Sequence, residues 1–171
     1  PSHGAIWREN PLQIIEKYAL WCDNYKEDQI TVVYDTMWEG TMKLAHALAE
    51  EIKKQSPTTV VKLFNISKCN KNDIMTQVFK SKAIAVGSPT VSKSILSSVS
   101  GWLHFLQELS LKGKKAAVFG CYGWSGEGNK VLREELTKAG FDVIDTEERC
   151  SWNPRPDDFE NMANIAKSLL A

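Results

Sequence analysis

Five short apolar runs alternate along the chain with segments in which apolar residues recur at helical spacing. The runs lie at residues 30–34, 60–64, 83–86, 116–119 and 143–146, and the helical segments at residues 41–54, 72–79, 94–109, 128–139 and 156–170. One helical face of the first such segment carries Leu44, Ala45, Leu48, Ala49 and Ile52. Strands that alternate with helices are typical of βαβ units. The pattern therefore predicts an α/β fold with a five-stranded parallel sheet and helices on both of its faces.

The first 28 residues precede this alternation. Asn10 and Pro11 are a helix cap followed by a first-turn proline, and they predict a helix that runs to about Tyr25. Its apolar stripe consists of Leu12, Ile15, Ala19 and Cys22. Because the first strand follows at once, this helix is an addition to a domain that is already complete. We expect residues 1–28 to be a separate N-terminal segment and residues 29–171 to form the domain.

The composition argues against several classes of partner. The 21 Lys and Arg residues are balanced by 21 Asp and Glu residues, so no field of one sign attracts the protein to nucleic acid or to a membrane surface. No apolar run approaches the roughly 20 residues that cross a bilayer, and the N-terminus does not resemble a secretion signal. We expect a cytoplasmic protein that binds neither nucleic acid nor membrane and has a small neutral or amphiphilic partner.

The four cysteines do not indicate a metal or redox motif. Cys22, Cys69, Cys121 and Cys150 form no C-x-x-C pair, so the sequence predicts neither a zinc site nor a thioredoxin-like pair. A phosphatase-type nucleophile would need an arginine six positions after its cysteine, whereas Glu127 stands six positions after Cys121. We expect reduced thiols with a structural role.

The loop after the first strand, residues 35–41, contains hydroxyls and a glycine but no Lys or Arg. Ligands of open α/β sheets bind at the carboxyl ends of the strands. Backbone N–H groups, the hydroxyls of Thr36 and Thr41, and the positive end of the next helix can hold a phosphate monoester there. The alternative is a capped turn in which Thr41 only starts the helix.

Three other phosphate-handling sites are excluded by the sequence. A Walker A loop requires Gly-Lys-Ser/Thr, and a dinucleotide fold requires G-x-G-x-x-G after its first strand. Neither motif occurs at this position. A phosphoacceptor receiver domain needs clustered aspartates at strand ends, but the third strand ends in Val86-Gly87-Ser88.

The loops after the third and fourth strands add a stiff backbone and aromatic rings. Residues 87–91 include Pro89, and residues 120–128 contain four glycines together with Tyr122 and Trp124. Glycines let the backbone approach a flat ligand closely, and the two rings can stack on it. A flavin needs this combination, with N–H donors at its pyrimidine edge. The alternative is that both rings are packing residues, but their position opposite a phosphate-type loop favours a flavin.

These three loops resemble the FMN loops of flavodiiron proteins, also called A-type flavoproteins. The resemblance covers nearly the whole chain, because residues 1–7 resemble the closing segment of that family's metallo-β-lactamase-like diiron domain. The helix after Asn10 resembles the connector into the flavin domain. The resemblance implies a flavodoxin-like fold with strand order 2-1-3-4-5. It assigns residues 1–28 to the end of the diiron domain and the connector, and residues 29–171 to the FMN-binding domain.

The resemblance also implies which residues bind cofactor and metal. The expected cofactor-binding residues are Thr36, Met37, Glu39, Gly40, Thr41, Ser88, Pro89, Thr90, Val91, Gly120, Tyr122, Gly123, Trp124 and Gly126. Those of the first loop would hold the phosphate, those of the second would border the ribityl chain and ring, and those of the third would line the isoalloxazine. Trp38 replaces the small polar residue that flavodoxins often have in the first loop and is a weaker candidate. His3 matches a diiron ligand that would act only in a longer parent enzyme, and no residue of this chain is expected to be catalytic.

The function implied by the resemblance is electron transfer through FMN. The parent enzyme would be an oxidoreductase that reduces nitric oxide, dioxygen or both at a diiron centre, with rubredoxin or a related protein as electron donor. We expect it to be a head-to-tail homodimer, in which the flavin of one subunit faces the metal site of the other. Three alternatives remain open: a free flavodoxin carrier, a flavodoxin-type NAD(P)H:quinone reductase, and a cofactor-free binding module. A free flavodoxin would normally be strongly acidic, unlike this chain.

Overall fold

Strands and helices alternate from residue 27 to the C-terminus, except that the last two strands follow each other directly. The computed structural model describes Gly4 and residues 6–23, 25–109 and 111–171. The strands are β1 Glu27–Tyr34, β2 Val60–Asn65, β3 Ser81–Gly87, β4 Lys115–Tyr122, β5 Asp142–Val143 and β6 Glu148–Ser151. The helices are α1 Leu12–Cys22, α2 Gly40–Gln55, α3 Lys71–Lys80, α4 Ser97–Gln107, α5 Gly128–Lys138 and α6 Pro156–Leu170, with a 3₁₀ helix at Ile66–Lys68.

All six strands pair in parallel within one sheet. The order is β2-β1-β3-β4-β5, and β6 also pairs with β4, which confirms the predicted fold class and strand order. β1 lies between β2 and β3, with Ile30 opposite Val61 on one side and Ala83 on the other. Its last six residues are all buried, because helices cover both faces of a parallel sheet.

The fifth strand is shorter than predicted, and β6 was not predicted. We expected one strand at residues 143–146, but β5 ends at Val143 and the chain returns to the edge of β4 only at Glu148. Arg133 on α5 donates hydrogen bonds to the carbonyl oxygens of Ile144 (2.9 Å) and Asp145 (3.4 Å). These carbonyl groups therefore bond to a side chain instead of to a neighbouring strand, and the pairing is interrupted.

Helices on each face of the sheet form two apolar cores. Alternate residues of β1 enter different cores: Val33 joins one, while Val32 and Tyr34 join the other. The first core contains buried residues of α3, α4 and α5, and the second contains those of α2 and α6. Packing on both faces fixes the positions of β1, β3 and β4, so the loops at their carboxyl ends meet at one edge of the sheet.

The N-terminal helix α1 lies outside both cores. It ends at Cys22, three residues earlier than predicted, and none of its residues is buried. Its predicted apolar stripe is exposed, with 62% exposure for both Leu12 and Ile15. The Trp21 ring makes an edge contact with Phe79 on α3, with 5.8 Å between the ring centroids. Neither α1 nor any other helix in the described part of the chain is long and apolar enough to cross a bilayer.

Candidate functional site

Four loops enclose a cavity of about 590 Å³ at the carboxyl edge of the sheet. They follow β1, β3, β4 and β6. The cavity is lined by Thr36, Met37, Trp38, Gly40, Thr41, Pro89, Thr90, Cys121, Tyr122, Gly123, Trp124, Trp152 and Asn153. Its position is the one at which open α/β sheets bind ligands, and its volume is typical of a small-molecule site.

The cavity brings together most of the residues that the sequence predicted for cofactor binding. Nine of them line it: Thr36, Met37, Gly40, Thr41, Pro89, Thr90, Tyr122, Gly123 and Trp124. Five do not: Glu39, Ser88, Val91, Gly120 and Gly126. Trp38, the weaker candidate, lines the cavity as well. The predicted metal ligand His3 lies outside the described residues.

Asp35 fixes the start of the loop after β1. Its carboxylate is buried and accepts a hydrogen bond from the backbone N–H of Thr36 at 2.8 Å. The second carboxylate oxygen accepts hydrogen bonds from the hydroxyls of Ser98 (2.5 Å) and Ser67. These bonds connect the loop to α4 and to the 3₁₀ helix. Asp35 was not among the predicted site residues, because it supports the loop without lining the cavity.

The same loop presents two hydroxyls without partners at the start of α2. Thr36 Oγ1 and Thr41 Oγ1 are buried and accept or donate no hydrogen bond within the described part of the chain. The first N–H groups of a helix also have no partner inside that helix. Buried polar groups are normally hydrogen-bonded, so an anionic ligand in the cavity would satisfy both hydroxyls and the helix terminus.

Glu39 and Gly40 shape the turn into α2. Glu39 has a left-handed backbone (φ 64°), and its carbonyl oxygen accepts a hydrogen bond from the N–H of Lys43 at 2.9 Å. A Cβ atom at Gly40 would lie 2.8 Å from Cys121 Sγ and 3.3 Å from the carbonyl oxygen of Trp152. Only glycine therefore allows α2 to begin this close to β4 and to the loop after β6.

Ser88 holds the loop after β3 from beneath. Its hydroxyl accepts a hydrogen bond from the N–H of Leu96 (3.0 Å) and donates one to the carbonyl oxygen of Pro89 (3.0 Å). Further along the same loop, Ser92 and Lys93 have left-handed backbones. A helix cannot include them, so α4 begins at Ser97 rather than at the predicted residue 94.

Thr90 connects this loop to the loop after β4. Its N–H donates to the carbonyl oxygen of Cys121 at 2.8 Å, and its hydroxyl accepts a hydrogen bond from the N–H of Gly128 at 3.0 Å. The Thr90 hydroxyl is therefore already engaged by the protein, in contrast to the two free hydroxyls of the first loop.

The aromatic residues at the end of β4 and in the loop that follows it do not pack in the core. Trp124 is 92% exposed, so the alternative interpretation of this residue as a packing residue is wrong. Tyr122 is half-buried, with the guanidinium of Arg149 over its ring at 5.7 Å from the centroid. Both rings line the cavity. An exposed aromatic surface beside a cavity can stack on a flat ligand.

A fourth loop, after β6, contributes residues that the sequence analysis missed. Trp152 and Asn153 line the cavity, and Trp152 donates its backbone N–H to the carbonyl oxygen of Tyr122 at 2.8 Å. Because the last strand was expected to end at residue 146, these residues were not assigned to the carboxyl edge. No signal in the sequence marks them, because they follow β6, a strand that was itself not predicted and that pairs with β4 only in the folded chain.

The thiols near the cavity are not activated. Cys121 lines the cavity, and burial raises the pKa of its thiol. Burial also raises the pKa of the neighbouring Cys150 thiol. Both are therefore protonated at neutral pH and are poor nucleophiles. All four cysteines are free, and in the described ranges no three His, Cys, Asp or Glu side chains are grouped as a metal site.

Comparisons with known proteins identify the class to which this fold and cavity belong. The family model described as Flavodoxin matches residues 32–164, so the chain belongs to the flavodoxin family. Within that class it is similar to flavorubredoxins and to flavodiiron proteins. It is 44% identical over 153 residues to the anaerobic nitric oxide reductase flavorubredoxin of Vibrio vulnificus (strain YJ016), which covers 90% of this chain and 31% of the relative.

Solved structures agree with this placement. The rubredoxin oxygen:oxidoreductase of Desulfovibrio gigas is 33% identical, with a TM-score of 0.87 over 91% of this chain and 38% of that one. The flavodiiron protein of Giardia intestinalis is 27% identical, with a TM-score of 0.89 over 97% of this chain and 41% of that one. These likenesses confirm the resemblance to flavodiiron proteins. The chain spans about a third of the length of the curated relatives it matches.

Proposed function

We propose that this chain is the FMN-binding, electron-transferring part of a flavodiiron-type oxidoreductase. One observation carries the proposal: two buried threonine hydroxyls without partners and a set of exposed aromatic rings line the same cavity. FMN has a phosphate monoester at one end and a flat ring at the other. The residues present therefore fit both ends of this cofactor.

Each part of the cavity has a role in this proposal. Thr36, Thr41 and the first N–H groups of α2 hold the phosphate. Pro89 and Thr90 border the ribityl chain and ring, and the aromatic residues after β4 cover the ring. Bound FMN supplies reversible one- and two-electron chemistry, whereas the protein sets its position and environment. No side chain of this chain forms or breaks a bond with a substrate.

The proposal extends to the longer protein that the relatives suggest. Two of those relatives are named for nitric oxide reduction and for rubredoxin oxygen:oxidoreductase activity. We therefore assign to the parent enzyme a rubredoxin-type donor and a diiron centre that reduces nitric oxide or dioxygen. We further propose a cytoplasmic location and a head-to-tail homodimer, as the resemblance implies. In it residues 1–28 are the end of the diiron domain and the connector, and His3 is a metal ligand. The absence of buried residues in α1 supports a connector role.

Comparison of FMN with riboflavin tests the proposal. The two flavins share the ring and ribityl chain and differ in the terminal phosphate. We expect FMN to bind at least tenfold more tightly, because only FMN satisfies the two threonine hydroxyls and the α2 terminus. Flavin fluorescence quenching gives both dissociation constants. Equal affinities would overturn the proposed phosphate site, and a protein that stays colourless after FMN loading would indicate a cofactor-free binding module.

Two valine variants locate the phosphate site. Thr36→Val and Thr41→Val remove the hydroxyls but keep the side-chain shape, so each is expected to weaken FMN binding several-fold and to leave riboflavin binding unchanged. Thr76→Val, on the exposed surface of α3, is the matched control. Rapid oxidation of NADH by the FMN-loaded chain in a stopped-flow experiment would instead support a quinone reductase.

A further inference from the structure

Trp152 has an unusual backbone for a large residue. It directly follows β6 and has φ 64°, in the left-handed region that few non-glycine residues adopt. Its side chain is 65% exposed, so it contributes little to either core. A strained conformation persists only where its surroundings determine it, and such residues cluster at ligand sites. The contacts of Trp152 show which neighbouring residues hold it in this conformation.

One set of contacts supports the aromatic loop after β4. Besides the hydrogen bond from the Trp152 N–H to Tyr122, the indole lies against Gly123, where an added Cβ would be only 3.1 Å from the Trp152 ring. The indole also makes a tilted contact with the Trp124 ring, with centroids 6.5 Å apart and planes at 51°. The exposed Trp124 ring therefore has an aromatic neighbour of its own.

The Trp152 backbone also lies close to the other end of the cavity. The carbonyl oxygen of Trp152 lies 3.3 Å from the position that a Cβ of Gly40 would occupy, at the start of α2. Gly40 belongs to the loop whose hydroxyls and helix terminus form the anion-binding end. The Trp152 backbone thus lies beside the start of α2, and its indole packs against the ring-binding loop.

We infer that Trp152 is a positioning residue that sets the spacing between the phosphate-binding and ring-binding ends of the flavin site. The inference rests on the proposed function. A ligand that occupies both ends depends on their spacing, whereas one that occupies only the ring end does not. Without the indole, the loop at Gly123 can shift relative to the start of α2, so FMN, which occupies both ends, loses more affinity than riboflavin, which occupies only the ring end.

The test measures both flavins on variants of the whole chain. Trp152→Ala and Trp152→Gly are expected to weaken FMN binding about tenfold and riboflavin binding threefold or less, because the indole is lost. Trp152→Phe keeps an aromatic ring over Gly123 and is expected to restore most of the FMN affinity. The visible circular dichroism of bound FMN should change in the Ala and Gly variants and be largely restored in the Phe variant. Trp7→Ala, another exposed tryptophan that does not line the cavity, is the control.

The same variants of Trp152 serve as controls for backbone strain and for folding. Glycine adopts φ 64° readily, so Trp152→Gly should unfold at a higher urea concentration than Trp152→Ala. Gly123→Ala is a further variant, because its added methyl group would lie 3.1 Å from the Trp152 ring and push the indole slightly, although Gly123 also lines the cavity itself. It should reproduce the selective loss of FMN affinity.

The outcomes separate this inference from the proposed function. If the wild-type chain does not bind FMN, both fail. If the wild-type chain binds FMN but Trp152→Ala has the same dissociation constants and the same visible circular dichroism, only the role of Trp152 is overturned. Equal losses for FMN and riboflavin would also overturn it, because they would make the indole a wall of the ring end alone.

Discussion

The aromatic residues at the cavity mouth are exposed far beyond what folding requires. Trp124 is 92% exposed and Trp38 is 84% exposed, whereas Trp102 on α4 is only 3% exposed and packs in a core. Large apolar side chains that stay in solvent beside a cavity mark a binding surface. The chain therefore has exposed tryptophans beside the cavity and a buried tryptophan in a core. Substitutions should affect ligand binding in the first case and stability in the second.

Trp124→Ala is expected to weaken FMN binding by about 1–3 kcal/mol, the usual cost of removing an aromatic side chain that stacks on a flat ring. Because Trp124 is exposed, the free energy of unfolding should change by less than about 0.5 kcal/mol. Fluorescence titration and urea unfolding measure the two quantities.

Trp102→Ala provides the contrast for that experiment. Removal of a buried tryptophan is expected to cost about 3–5 kcal/mol of stability. An unchanged FMN dissociation constant in Trp124→Ala would contradict the stacking role, whatever the stability of Trp102→Ala.

Residue types identified most of the cavity but not its supports. Threonines and aromatic residues after strand ends indicate a ligand site, and the resemblance to flavodiiron proteins supplied the other predicted residues. Asp35 and Trp152 were missed for different reasons. Asp35 acts through Ser67 and Ser98, whose proximity depends on the fold. Trp152 reaches the cavity only because β6 returns to the edge of β4.

At the level of elements, β6 was not predicted because a buried glutamate interrupts its pattern of apolar residues. The strand alternates buried and exposed residues, with Glu148 and Cys150 inside and Arg149 and Ser151 outside. A strand is recognised from alternating apolar residues, and a glutamate at an inward position breaks that pattern. The longer strands β1, β3 and β4, buried on both faces, were predicted because their apolar runs are nearly continuous.

The buried Glu148 predicts a pH-dependent stability. Burial raises the pKa of its carboxyl group to about 7, and the nearby Asp158 carboxylate contributes to the rise. The unfolded chain releases this proton near pH 4.5, so between these values the folded state binds a proton that the unfolded state does not. The free energy of unfolding should therefore fall as the pH rises from about 4.5 to about 7.

Glu148→Gln should remove this pH dependence. Glutamine keeps the shape of the side chain and does not ionise, so the variant should be more stable than the wild type by about 1–3 kcal/mol at pH 8 and show little advantage at pH 4.5. Urea unfolding across this pH range measures the difference. Glu160→Gln, on the exposed surface of α6, is the control, and parallel curves for the wild type and Glu148→Gln would contradict the argument.

For the whole molecule, one buried lysine connects the N-terminal segment to the domain. Lys114 Nζ donates hydrogen bonds to the carbonyl oxygens of Tyr25 (3.1 Å), Phe79 (2.9 Å) and Ser81 (2.6 Å). Burial lowers the pKa of its amino group to about 8. Because α1 has no buried residue of its own, this contact is a main attachment of the segment to α3 and β3.

Lys114→Met should loosen that attachment without altering the cavity. The substitution removes the Lys114 donor from three carbonyl groups and is expected to lower the free energy of unfolding by about 1–3 kcal/mol. Limited proteolysis should cut residues 6–26 faster, while the FMN dissociation constant stays the same. Lys112→Met, exposed in the same loop, is the control. Unchanged proteolysis in Lys114→Met would show that other contacts hold the segment.

The metal chemistry of the flavodiiron relatives is expected to require more than this chain. A diiron centre needs several His, Asp or Glu ligands, and one imidazole cannot hold two cations against water. In the part of the chain that the structure describes, no three such side chains come together, and His3 lies outside it.

After incubation with ferrous iron and desalting, we therefore expect well below one iron per chain by elemental analysis, and the same value for His3→Ala. Anaerobic nitric oxide consumption should stay at the background rate even with FMN bound. Two irons per chain, or consumption that His3→Ala abolishes, would mean that residues 1–28 do more than connect two domains.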